Sequence, residues 1–234
     1  MSILIITGYC YGPYQPYYKV MSDITIDSAS PQDAAPVKKI PDKVRLQRAA
    51  KYHGTRALVY LAVFAALDAW LITTDGLLLA QLLSVVAAYL TGSYLAGVFH
   101  EWGHFTGARL ANAYSPAATK VRGAFMFGFS MTKNTAQQFL SMSIGGPTAN
   151  WLLVMLVVVM IPIDNIGRIA LLATVFARAI SVLIFEGPII RGVMNGGEPQ
   201  AELDRRIDAG GLDSSQVYGH IILAVAFLTL LLML

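Results

Sequence analysis

The sequence FHEWGH, residues 99–104, places two histidines four residues apart with a glutamate directly after the first. On an α-helix this spacing brings His100 and His104 to one face, where both imidazoles can bind one Zn²⁺ ion. Glu101 then lies beside the metal without being a ligand and can take a proton from a metal-activated water. The pattern therefore predicts a zinc hydrolase site. The alternative is a polar helix end at the level of the lipid headgroups.

The helices that position these residues must be apolar, because the 234-residue chain is 56% hydrophobic and 13% charged. These values lie outside the range of ordinary soluble domains and indicate a membrane protein. Each span needs roughly 20 apolar residues, so the chain is long enough for four to six spans. The single cysteine, Cys10, excludes an internal disulfide framework and a cysteine-based metal site.

Five long apolar runs predict five transmembrane helices. They cover residues 57–72, 77–99, 134–163, 169–185 and 217–234. The segment before the first run, residues 38–56, contains seven Lys or Arg residues and one Asp, and such segments stay in the cytoplasm. The loops after the second and fourth runs then also lie inside, and they contain most of the remaining Lys and Arg. We therefore expect a multi-pass integral membrane protein with a cytoplasmic N-terminus.

A catalytic zinc site needs a third protein ligand, and the predicted topology selects Glu186. The second span runs inward to His100 and the fourth runs inward to Glu186, so both residues arrive near the cytoplasmic side. Gly187 and Pro188 are expected to end the helix there, which frees the carboxylate to turn towards the histidines. Asp164 is the competitor by residue type, but this topology places it on the opposite side of the membrane.

Two further expectations concern packing between the spans. Asp68 and Arg178 lie within the first and fourth runs, where an unpaired charge is costly, so we expect them to form an ion pair. Small residues spaced four apart in the second run predict close approach of another helix. These residues are Gly92, Ser93, Ala96 and Gly97.

Three motifs together resemble a known family. FHEWGHF resembles the zinc motif of the site-2 protease family of intramembrane metalloproteases. GGPTANWLL, residues 145–153, is similar to that family's glycine-proline-x-x-asparagine motif, and FEGPIIRG, residues 185–192, is similar to its later aspartate-glycine motif. Between the first two motifs, residues 120–133 alternate and contain two glycines, much like the family's membrane-embedded β-hairpin. The resemblance covers roughly residues 77–195.

The resemblance implies a fold class and roles for particular residues. The fold is an all-α polytopic membrane protein with about five transmembrane helices and a small membrane-embedded β-hairpin. Asn150 is expected to position the substrate or stabilise the oxyanion, or else to form a structural hydrogen bond between helices. The strand around 121–131 is expected to pair with an unwound substrate segment, or else to plug the bundle as an ordinary hairpin.

The expected activity is hydrolysis of peptide bonds in transmembrane segments near the cytoplasmic face, with Zn²⁺ as the cofactor. The family usually has aspartate as its third ligand, and here Glu186 stands in that place. The second interpretation is therefore a catalytically inactive member of the same fold, serving as a structural or accessory subunit of a larger membrane complex. The expected partners are a transmembrane substrate or neighbouring membrane subunits, together with the lipid bilayer. Four histidines are too few for a histidine-rich membrane oxygenase, and no feature indicates nucleic-acid binding.

By composition the chain divides into three parts. Residues 1–37 are rich in Tyr, Pro, Ser and Asp and show no regular periodicity, so they are expected to form an irregular N-terminal arm. This arm is either a disordered tail or a strap that orders on a partner or at the lipid headgroups. Residues 38–56 form the basic cytoplasmic segment. Residues 57–234 contain the predicted spans, and the resemblance implies that they form a transmembrane metalloprotease-like domain.

Overall fold

The computed structural model describes residues 40–233, so the predicted N-terminal arm at residues 1–37 lies outside the described part of the chain. Within residues 40–233, six helices and one two-stranded hairpin follow one another. The helices are α1 (Asp42–Thr73), α2 (Leu78–Leu110), α3 (Ala136–Met160), α4 (Ile166–Met194), α5 (Pro199–Asp208) and α6 (Gly211–Leu231). The strands are β1 (Ala117–Arg122) and β2 (Phe125–Phe127).

The structure confirms the predicted fold class at the level of its elements. Five helices, all except α5, are long and apolar enough to cross a membrane, judged by length and composition. Several extend beyond the apolar runs: α1 begins at Asp42 and includes most of the basic segment, and α2 continues past the histidines to Leu110. The histidines are therefore not at a fraying helix end but within a continuous helix.

The helices α2 and α4 form the centre of the bundle. Helix α2 packs against α1, α3 and α4, while α4 also packs against α3, α5 and α6. The predicted close approach in α2 is confirmed at Gly92, where an added Cβ would lie 3.0 Å from Thr174 Cγ2 of α4. The helices that carry His100 and Glu186 thus lie side by side.

A hydrogen-bonded cap fixes the start of α3 against the end of α2. Thr135 accepts a hydrogen bond from the backbone amide of Gln138, and the Gln138 side chain accepts one from the Thr135 amide, which is a capping box. The Gln138 side-chain amide also donates to the carbonyls of Ala111 and Asn112 at the end of α2. This connection sets the register in which α3 runs back along α2.

The expected hairpin is present, but its strands begin and end earlier than the predicted strand at 121–131. Strand β1 pairs antiparallel with β2, and the chain turns between them at Gly123, whose φ of 59° favours glycine. Phe127 and Phe129 are buried, and the Phe127 ring lies edge-on to Phe105 of α2 with 5.5 Å between centroids. The hairpin therefore packs directly against the helix that carries the histidines.

Two expectations about chain breaks are wrong. Helix α4 does not end at Gly187 and Pro188 but continues to Met194. The loop expected between the fourth and fifth runs contains a helix, α5, which has Pro199 in its first turn. The Glu198 side chain caps this helix by accepting a hydrogen bond from the Ala201 amide. Helix α5 packs against α4 next to the turn that contains Pro188.

The expected ion pair between Asp68 and Arg178 is also wrong, because Asp68 lies near the end of α1 and meets Arg168 instead. Asp68 Oδ2 accepts hydrogen bonds from Arg168 Nε at 3.0 Å and Nη2 at 2.8 Å. Asn165 donates to Asp68 Oδ1 at 2.8 Å, and Arg168 also donates to Asp164. We refer to Asp68, Asp164, Asn165 and Arg168 as the ion-pair cluster. Arg178 lies 3.3 Å from the Ser93 hydroxyl instead.

Candidate metal centre

The two motif histidines face one another on α2. Their ring centroids are 4.2 Å apart, and the Nε2 atoms of His100 and His104 are 2.9 Å apart. His104 Nδ1 lies 2.8 Å from the backbone carbonyl of Met142 in α3. Because a carbonyl oxygen only accepts, Nδ1 carries a proton there, and a neutral His104 presents the lone pair of Nε2 towards His100. An anchored second nitrogen is a common feature of metal-binding histidines.

Glu186 of α4 completes a group of three possible ligands. Its Oε1 atom lies 3.1 Å from His100 Nε2 and 3.2 Å from His104 Nε2. One ligand atom from each of the three residues lies within 4.8 Å of the other two. The side chains are 12–16% exposed, so the group is largely enclosed by the bundle. The structure thus brings together the three residues that the sequence suggested as ligands, and we call them the candidate metal centre.

The geometry of this group suits a zinc ion. Nitrogen and oxygen ligands at about 2.0–2.1 Å from a tetrahedral zinc are separated by about 3.3 Å, close to the observed distances. Glu186 Oε2 and His100 Nδ1 are buried and form no hydrogen bond with the described residues. Two histidines and one carboxylate that leave the fourth position open are also a known donor set for catalytic zinc.

Close contact between α2 and α3 holds the imidazoles in place. A Cβ added at Gly103 would collide with the Gly145 carbonyl, and one added at Gly107 would collide with the Ser141 carbonyl. A Cβ at Gly146 would lie 2.5 Å from His104 Cε1 and 2.7 Å from His100 Cε1. The backbone of α3 therefore forms one wall of the candidate metal centre, and glycine at 146 leaves room for both rings.

The two residues with expected catalytic roles lie outside the group of three. Glu101 is partly buried, and its carboxylate is close enough to interact electrostatically with His104, His100 and Glu186. Asn150 is 2% exposed, and its Oδ1 forms no hydrogen bond with the described residues. It lies one helical turn after Gly146, on the face of α3 that contacts the imidazoles.

Asp164, the competing ligand by residue type, lies far from the candidate metal centre. It is close to the start of α4 and pairs with Arg168, whereas Glu186 lies 22 residues further along the chain. At 1.5 Å per residue, this separation is about 33 Å along the helix axis. The structure therefore brings Glu186, and not Asp164, to the histidines.

Sequence reasoning missed a third histidine that supports the site. His53 of α1 is 2% exposed, and its Nδ1 accepts a hydrogen bond from Trp102 Nε1 at 3.0 Å. Its Nε2 therefore carries the proton and donates to the Gly123 carbonyl at the hairpin turn, also at 3.0 Å. His53 thus joins α1, the hairpin and the motif helix. No periodic signal marks it, because its partners are 49 and 70 residues away.

Comparisons of this chain with protein-family models, with curated proteins and with solved structures find no match.

Proposed function

We propose that this chain is an intramembrane zinc metalloprotease that hydrolyses peptide bonds in transmembrane segments near the cytoplasmic face. The observation that carries the proposal is the convergence of His100 Nε2, His104 Nε2 and Glu186 Oε1 from two helices that are apolar enough to cross a membrane. The resemblance of three motifs to the site-2 protease family supports it, because all three motifs lie on helices that pack against one another.

The location of the basic residues supports the cytoplasmic side. The candidate metal centre lies at the end of the bundle where His53, within the basic segment of α1, bonds to Trp102 of the motif helix. The ion-pair cluster lies towards the opposite end of α4. Since basic segments stay in the cytoplasm, the proposed protease acts near that face.

In the proposed reaction the chain's own residues bind, orient and transfer protons. His100, His104 and Glu186 would hold a zinc ion, which when bound would act as a Lewis acid towards water and a peptide carbonyl. Glu101 takes the proton from the attacking water and delivers it to the leaving amine. Asn150, on the wall formed by α3, orients the scissile segment or donates to the developing oxyanion.

The hairpin offers a way to hold an unwound substrate. A helical segment hides its peptide bonds, so it must become extended before hydrolysis. In the two-stranded sheet each strand has one edge without a strand partner among the described residues. Main-chain groups on such an edge can pair with an extended peptide, and the hairpin packs on the helix that carries the histidines.

A second candidate function is a non-catalytic subunit of a larger membrane complex. The distances from Glu186 Oε1 to the two imidazoles also suit a histidine–carboxylate hydrogen bond. A proton shared among these groups would then take the place of the zinc ion. In that case the three residues join α2 to α4 by hydrogen bonds and have no catalytic role.

Metal analysis separates the two functions. We expect near-stoichiometric zinc in purified wild-type protein and its loss in both His104→Ala and Glu186→Ala. Matched controls are His220→Ala, an exposed histidine outside the metal centre, and Asp164→Ala, a carboxylate at the far end of α4; both should keep their zinc. A folded wild-type protein without zinc, purified in the absence of chelators, would overturn the protease proposal and favour the subunit.

A further inference from the structure

Pro188 lies in the interior of helix α4, two residues after Glu186. Proline has no amide hydrogen, so the carbonyl of Ile184, four residues earlier, loses its donor within the helix. Such a carbonyl inside an apolar bundle is costly unless another donor reaches it. Helix α4 nevertheless continues through this turn to Met194. Another group must therefore hydrogen-bond to the Ile184 carbonyl.

That group is the guanidinium of Arg206 in α5. Its Nη2 atom donates a hydrogen bond to the Ile184 carbonyl at 2.7 Å. The contact is partly buried and joins residues 22 positions apart. A charged donor makes a stronger hydrogen bond than a backbone amide. Arg206 thus replaces the donor that Pro188 removes.

The local sequence leaves a specific place for the Arg206 side chain. A Cβ added at Gly211 would lie 2.5 Å from Arg206 Nε and 2.7 Å from Arg206 Cδ. The arginine stem therefore crosses the backbone of Gly211, and a larger residue there would displace it. Glu202 lies one turn earlier on α5 and packs in the same way against Gly197 of the preceding loop. A Cβ added at Gly197 would lie 2.6 Å from Glu202 Oε1. Helix α5 is thus held in one orientation.

We infer that Arg206 is a positioning residue for Glu186. By bonding to the Ile184 carbonyl, it fixes the turn of α4 from which the Glu186 carboxylate reaches His100 and His104. The inference rests on the proposed function in one respect, since it takes Glu186 to be a zinc ligand. Residues that orient a metal ligand typically change metal affinity by about 10–100-fold when they are replaced.

A double-mutant cycle between residues 188 and 206 tests this inference. Pro188→Ala restores an amide that can bond to the Ile184 carbonyl, so Arg206 should become dispensable in that background. We expect Arg206→Gln to weaken zinc binding about tenfold in wild type and less than about twofold in the Pro188→Ala background. Arg206→Lys should retain part of the affinity. Arg205→Gln is the matched control, because that exposed neighbour forms its ion pair with Glu202 of the same helix.

Zinc affinity is measured by competition with a chromophoric chelator, well below the melting temperature, so that only folded protein is compared. Melting temperatures of the metal-free proteins are measured in parallel. If Arg206→Gln lowers the melting temperature but leaves zinc affinity unchanged, the role of Arg206 is purely structural and the inference is overturned. If Arg206→Gln lowers zinc affinity equally in wild type and in the Pro188→Ala background, the inference is also overturned, because the effect of Arg206 would then not depend on Pro188.

The same cycle separates failure of this inference from failure of the proposed function. If wild type binds no zinc, the protease proposal fails. The melting temperatures of the four metal-free proteins, which are wild type, the two single variants and the double variant, then decide whether Arg206 acts through the Ile184 carbonyl that Pro188 leaves without an amide donor. If Arg206→Gln lowers the melting temperature less in the Pro188→Ala background than in wild type, Arg206 acts on α4 through this carbonyl. Equal effects in both backgrounds would overturn it.

Discussion

Two polar groups of residues lie between the long helices, the candidate metal centre and the ion-pair cluster, and their hydrogen bonding differs. In the ion-pair cluster both oxygens of Asp68 accept hydrogen bonds, from Asn165 and from Arg168. In the candidate metal centre three possible ligand atoms converge, and Glu186 Oε2 and His100 Nδ1 form no hydrogen bond with the described residues. The hydrogen-bonding capacity of Asp68 is thus satisfied within the ion-pair cluster, whereas the candidate metal centre retains buried polar atoms without a hydrogen bond among the described residues.

This difference distinguishes buried polar residues that only join helices from a group that still has atoms available to bind a cation or a proton. A buried charge is tolerated when it is fully paired, and such a pair joins helices without binding anything else. Atoms that accept hydrogen bonds repel one another when they meet, unless a proton or a cation lies between them. The comparison therefore predicts that variants of the two groups change different measurable quantities.

The largest expected effect concerns Glu101. Glu101→Gln keeps the three proposed ligands and removes the group proposed to transfer protons, so we expect zinc content to stay unchanged while hydrolysis of a transmembrane substrate falls about 10³-fold. Turnover is measured in detergent or in liposomes beside Asp164→Asn, which should stay near wild type. Wild-type turnover in Glu101→Gln would show that another residue transfers the proton.

The next largest effect concerns the ion-pair cluster. Asp68→Ala leaves the Arg168 guanidinium partly buried without its main partner, so we expect the free energy of unfolding to fall by about 3 kcal/mol. Zinc content of the folded protein should not change. The double variant Asp68→Leu with Arg168→Met should be more stable than Asp68→Ala, because no charge is left unpaired. Chemical unfolding followed by circular dichroism measures these stabilities. Loss of zinc in folded Asp68→Ala would contradict the separation of the two groups.

A smaller effect is expected at Gly146, which contacts both imidazoles. Gly146→Ala inserts a methyl group that would lie 2.5 Å from His104 Cε1 and 2.7 Å from His100 Cε1, so we expect zinc affinity to fall about 30-fold, or about 2 kcal/mol. Gly187→Ala is the matched control, because an added Cβ there meets nothing within 4 Å although the residue adjoins Glu186. Equal zinc affinities in the two variants would show that the α3 backbone does not shape the metal centre.

The smallest expected effect concerns His53, which lies at the same end of the bundle as the candidate metal centre but, like Asp68, has both of its polar side-chain atoms hydrogen-bonded. Trp102→Phe removes the donor to His53 Nδ1, and we expect it to destabilise the protein by about 1 kcal/mol more than Trp151→Phe. Trp151 is the control because it packs against Phe176 and its loss removes a similar volume. Melting temperatures measure the difference. A large loss of zinc in Trp102→Phe would instead assign this link to the metal centre.

Much of the fold could be predicted from local sequence patterns. The five apolar runs gave the five long helices, because hydrophobic length is a property of each segment alone. The ends of the elements were less predictable. Helix α5 was missed because it is short and polar, and the end of α4 was placed too early because the sequence does not show what replaces the amide of Pro188. The hairpin strands begin and end earlier than predicted, and the turn between them contacts His53, 70 residues away in the chain, which local patterns do not show.

For the candidate site, the sequence by itself determined the pairing of His100 with His104, because helical periodicity places residues four apart on one face. It also favoured Glu186 over Asp164 through the order and direction of the helices. Only the tertiary structure decided that Glu186 reaches both imidazoles, that Asp68 meets Arg168, and that Arg206 bonds to the Ile184 carbonyl. Those contacts depend on the offset and rotation of packed helices, which are set by side-chain interdigitation between segments distant in the chain.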